Sequence, residues 1–119
     1  MALTQEQIDH FNCQGYLSIG KILEDGEIEL LRQQYDSEFQ KASESNAYRN
    51  LSVDDGGSSD DKQAAPQRML QIMQMCERNI HFRKLVYDAR ILDLAEDLIG
   101  PNIQLFHDQA LFKPAHDGG

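Results

Sequence analysis

Apolar positions recur along this chain with two periods, and each change of period marks an element. The chain opens with Leu3, a Thr4-Gln5-Glu6-Gln7 stretch, and then Ile8 and Phe11 at helical spacing. The stretch has the form of a capping box, in which the threonine hydroxyl accepts from the third backbone N–H and the glutamine side chain reaches back to the cap. It predicts a helix from about residue 5, with Ile8 and Phe11 inward, Leu3 stapled to Ile8, and Gly15 as the stop. Residues 16–19, YLSI, alternate and predict a short strand. Ile28, Leu31, Tyr35 and Phe39 then return at steps of three and four, which predicts a long helix over 25–43. Between 44 and 66 the pattern vanishes. DDGGSSDDK in its middle has the composition of a mobile acidic loop, either a surface excursion or a lid over a substrate.

Periodicity resumes at RMLQIM, 68–73, which fits a strand or the start of a methionine-rich helix. Asn79 reads as the cap of a short helix carrying Phe82, Leu85 and Val86 inward. Asp88 caps another, whose stripe of Ile91, Leu94, Ala95 and Leu98 ends at Gly100-Pro101. Residues 102–114 are rich in apolar and aromatic side chains and end in proline, so they predict a long strand. Alternation puts Leu105, His107, Gln109, Leu111 and Lys113 on one face, with Phe106, Asp108, Ala110 and Phe112 on the other. A face with polar groups at alternate visits resembles the wall of a polar pocket. A half-exposed edge strand has the same pattern.

Composition narrows the function. The 119 residues suffice for one domain or less. A net charge of -9 repels nucleic acid and anionic membranes, so neither is an expected partner. The chain has no apolar run of about 18 residues, and its N-terminus lacks a signal-like basic and apolar pair of regions, so the expected location is the cytoplasm. Cys13 and Cys76 stand far apart without metal-site spacing and are expected to be reduced thiols.

The most chemical-looking stretch is the end, with His107-Asp108 and His116-Asp117. Adjacent strand residues point to opposite faces, so neither pair can grip one ion. A His-x-carboxylate arrangement would find Gln109 and Gly118 in the second place. No metal ligand or catalytic residue is therefore assigned. Motifs for a nucleophilic serine, a phosphate loop or a dinucleotide site are absent. Lys113 remains: on an apolar strand it either meets a carboxylate or an anionic ligand, or snorkels to the surface.

LTQEQIDHFNCQGYLSIGKIL at 3–23, ILDLAEDLIGPNIQLFHDQALFKP at 91–114 and the trailing AHDGG resemble the N-terminal part of the phytanoyl-CoA dioxygenase family. The resemblance implies an α+β fold, with helices followed by the first strands of a double-stranded β-helix, or jelly roll. It covers 1–119 as part of one domain, with the acidic loop at 44–66 as its variable portion. It implies a non-haem enzyme that uses Fe(II), O2 and 2-oxoglutarate to hydroxylate, or sometimes halogenate, a small molecule. By the same resemblance Lys113 would contact 2-oxoglutarate, and His107 and Gln109 on its face would touch the substrate. The family's iron-binding His-x-Asp follows the lysine segment and has no counterpart here. The chain is thus expected to stop short of the iron site and to be inactive alone, with strand edges open to self-association. The alternative is a non-catalytic helical module that binds a partner.

Overall fold

The computed structural model describes residues 3–45, 47–51 and 70–113. Over these the chain is α+β: five helices and a small antiparallel sheet, in the order α1 (Gln5–Gln14), α2 (Asp25–Ser45), β1 (Arg49–Asn50), β2 (Leu70–Met73), α3 (Met75–Arg78), α4 (Ile80–Val86), α5 (Ala89–Ile99) and β3 (Gln109–Phe112).

The helix signals act where the sequence places them. Thr4 and Gln7 form the reciprocal capping box of α1, and Gly15 takes the left-handed conformation (φ 78°) that closes it, sending its N–H to the Phe11 carbonyl. Asn79 caps α4 by accepting from the His81 N–H, and Asp88 caps α5 by accepting from the Arg90 N–H. The α5 stripe is anchored by Leu94, which is buried. The Leu3 N–H donates to the Asp97 carboxylate at 2.7 Å, which ties the start of α1 to α5.

The sheet has the order β1-β2-β3 with both pairings antiparallel, in the register Arg49↔Gln71 on one side and Leu70↔Phe112 through Met73↔Gln109 on the other. Paired residues share a face, so Leu70, Ile72, Ala110 and Phe112 point one way while Gln71, Met73, Gln109 and Leu111 point the other. The first set meets the helices. Ile72 and Ala110 form the core with Ala42 of α2 and Met75 of α3, flanked by Tyr35, Phe39, Tyr48 and Phe82. Phe39 stacks between Tyr35 and Phe112, with ring centroids 4.6 and 5.7 Å apart.

Three sequence expectations are corrected. Residues 16–19 form no strand: no described segment pairs with them, and Tyr16 lies 62% exposed. The strand expected over 102–114 is only Gln109–Phe112. Its partner explains why. The β2 ladder ends at the Met73↔Gln109 pair, and Gln74, after one backbone bond to the Asp108 carbonyl, turns away through a left-handed conformation (φ 56°) into α3, so no described strand continues the ladder along residues 102–107. The loop expected from 44 is helical through Ser45 and contains β1, while its acidic centre lies outside the described residues. The ambiguity at 68–73 resolves as strand over Leu70–Met73. Pro114 and the AHDGG tail, with His116 and Asp117, lie outside the described residues.

Candidate functional site

Among the described residues the helices pack on one face of the sheet, and the other face carries Gln71, Met73, Gln109 and Leu111. Gln109 opens β3 and is exposed; its Oε1 accepts a short hydrogen bond from the Nε2 of Gln71, a diagonal neighbour on the central strand. Lys113, exposed, follows the last strand residue, and continuing the alternation by one position keeps it on the Gln109 face. No carboxylate among the described residues pairs with its ammonium. His107, also exposed, belongs to the irregular stretch before β3, so strand alternation does not bring it to the others. The structure thus groups Gln109 with Gln71, keeps Lys113 at the end of that face, and leaves His107 apart.

Asp108, the partner of His107 in the sequence, is occupied elsewhere. Its carboxylate accepts from the Cys76 backbone N–H at 2.9 Å and from the Cys76 thiol at 3.0 Å, while its carbonyl accepts from the Gln74 N–H. Those groups sit at the start of α3, where backbone N–H groups lack helical acceptors, so the carboxylate stands in for a cap. The hydrogen bond to Asp108, helped by burial, pushes the Cys76 thiol up from its ordinary value. This clasp sets where β3 begins. Nothing in the spacing of Cys76 and Asp108 foretold it.

A second polar cluster joins helices. All five Arg90 donors are used: on Asp88 through Nε and Nη2, on Glu27 through Nη1 and Nη2, and on the Ile22 carbonyl. The Arg90 guanidinium holds the Glu27 carboxyl down at about 2, assisted by the Glu24 N–H, and does the same for Asp88. The cluster walls a cavity of about 230 Å3 between α2 and α4, also lined by Leu30, Leu31, Leu85 and Lys84. Asn79 adds another tie: its Nδ2 donates to Gln34 and Glu38 of α2 at 3.0 and 3.1 Å. Partial burial works against the Glu38 charge, but hydrogen bonds from Lys41 and Asn79 outweigh it and lower the carboxyl.

Among the described residues no three His, Cys, Asp or Glu side chains come together as a metal site, and no helix is long and apolar enough to cross a membrane. Gln71 is the residue that sequence reasoning missed. Its strand was ambiguous, and without the strand its face could not be assigned. No family model, curated protein or solved structure matches this chain.

Proposed function

We propose that this chain is the N-terminal portion of a non-haem Fe(II)- and 2-oxoglutarate-dependent oxygenase akin to the phytanoyl-CoA dioxygenases, acting on a small molecule, and that its sheet is the beginning of a double-stranded β-helix. The observation that supports the reading is the division of the sheet: helices pack on one face, while Gln71, Gln109 and Lys113 lie on the other, where a jelly roll would enclose its cavity. In this reading the Lys113 ammonium receives a carboxylate of 2-oxoglutarate, Gln109 meets the substrate, and His107 reaches it from the irregular stretch before β3. The described residues do not fit the iron. His107 is outside the strand and Asp108 is turned to Cys76, so this chain's contribution is the wall that binds and orients.

Two measurements test the reading together. The purified 119 residues, supplied with Fe(II), ascorbate and 2-oxoglutarate, are expected to form no succinate, and the coding sequence is expected to continue past Gly119 into a His-x-Asp. Iron-dependent succinate from the chain alone, or a coding sequence without that motif, overturns it. A second reading, a non-catalytic module that binds a partner, draws on one observation: Phe106 is 99% exposed beside a half-exposed Leu105. The same coding sequence separates the two, because a module needs no His-x-Asp.

A further inference from the structure

We propose that the cavity between α2 and α4 binds a free amino acid with a branched aliphatic side chain, at a site separate from the sheet face that carries Lys113.

The cavity, of about 230 Å3, has two kinds of wall. One is apolar: Leu30 and Leu31 of α2, Leu23 just before it, and Leu85 of α4. Leu30 remains 40% exposed, so the helices leave apolar surface that a hydrocarbon group would remove from water. The other wall is the cluster of Glu27, Asp88 and Arg90, where two carboxylates share one guanidinium and one negative charge is left over.

Donors and acceptors in that cluster are unequally used. All five guanidinium N–H groups are spent, so Arg90 has nothing to offer an anion. The carboxylates have capacity left. Glu27 Oε1 and Asp88 Oδ2 each accept a single bond, both from the Arg90 Nη2, at 2.7 and 2.5 Å. A carboxylate oxygen takes two, and two half-used oxygens held by the same nitrogen lie close enough for one ammonium to bridge them. Lys84 makes the complementary demand. It lines the same cavity, is exposed, and pairs with no carboxylate among the described residues, although Asp88 follows it by one helical turn. An ammonium only donates, so Lys84 calls for an anionic group.

An ammonium, a carboxylate and a hydrocarbon group on one small molecule make an aliphatic amino acid. Its zwitterion adds no net charge to walls whose charges, Glu27 and Asp88 against Lys84 and Arg90, already cancel. An amine would leave Lys84 unanswered and set a second cation beside it. A carboxylate would leave the spare acceptors empty and face the cluster's excess negative charge. Size agrees: at the roughly 30 Å3 that a water molecule occupies, the cavity holds about eight non-hydrogen atoms, close to the size of leucine.

The test titrates the full chain with leucine and with three analogues that each lack one group: 4-methylpentanoate without the ammonium, 3-methylbutylamine without the carboxylate, and glycine without the side chain. Binding is followed by NMR at the Leu31 and Leu85 methyl groups. Leucine is expected to shift these saturably and to bind at least tenfold more tightly than any analogue, the loss expected from one charge-assisted hydrogen bond or from the buried side chain. Lys84→Met, a change at an exposed position, should bring leucine down to about the affinity of 3-methylbutylamine without weakening the amine itself. No saturable shift with leucine overturns the site. An analogue that binds as tightly as leucine, or leucine binding unchanged by Lys84→Met, overturns the recognition of a zwitterion. None of these outcomes bears on succinate formation or on Lys113.

Discussion

Asp108 shows how little a residue's neighbours in sequence say about its work. Beside His107 it invites a metal-site reading; in the fold it holds the start of α3 by the Cys76 N–H and thiol. Removing the charge but keeping the shape, Asp108→Asn in a Cys13→Ser background, weakens both bonds. The expected cost is about 1 kcal/mol in urea unfolding, the ordinary worth of a helix-capping bond. A second readout is chemical. Because the hydrogen bond to Asp108 raises the Cys76 thiol, the variant should reach half-maximal alkylation at a lower pH than its parent. An unchanged alkylation profile would detach the thiol from the carboxylate. The side chains legible in advance were those with local jobs, Thr4, Asn79 and Asp88, each capping the helix that begins beside it. Asp108 caps a helix 32 residues upstream, and no local pattern encodes that.

At the scale of elements the same distinction holds. Helices satisfy their backbone within one segment, so α1, α2, α4 and α5 could be placed from periodicity and caps. A strand exists only with a partner. Residues 16–19 and 102–107 have strand-like composition and no partner strand among the described residues, whereas Arg49–Asn50, in a stretch that reads as loop, is a strand because β2 lies beside it. The faces of β3 were legible all the same: Ala110 and Phe112 turn to the helices, as alternation requires, and Gln109 and Leu111 turn away. The short sheet draws its stability from Ile72, 1% exposed and seated between α2 and α3. Ile72→Ala should cost about 2–5 kcal/mol by lost burial and the cavity left behind. Phe106→Ser, in the same run of aromatic residues but fully exposed, should change stability by less than about 0.5 kcal/mol. Urea denaturation of the two variants checks both, and comparable losses would mean that Phe106 is packed in solution. The edge of β3 is partly guarded, since the Tyr35 hydroxyl donates to the outer Leu111 carbonyl.

For the molecule as a whole, charge sets the pH response, and two effects oppose each other. With 20 acidic against 11 basic residues, acidification first relieves self-repulsion and favours the compact state. The Arg90 cluster works in the other direction. Glu27 and Asp88, held near 2 in the folded chain by the Arg90 guanidinium, return to ordinary carboxylate values of about 4 when it unfolds. A depressed folded value means that the unfolded chain binds protons first as pH falls. The stabilisation is therefore complete above about pH 5 and drains away as pH drops from there toward 2. Comparing the chain with an Arg90→Met variant isolates this part, because the other charges are common to both. The variant should be the less stable at pH 7, with a gap that is flat down to about pH 5 and closes toward pH 2. Because the three side chains are partly exposed and all five guanidinium donors are engaged, salt should narrow the gap without abolishing it. Urea unfolding at successive pH values measures the gap directly. One that stays constant from pH 7 to pH 2 would mean that Arg90 stabilises through its packed stem rather than by holding two carboxylates, and that α2 and α5 are joined by contact instead of charge.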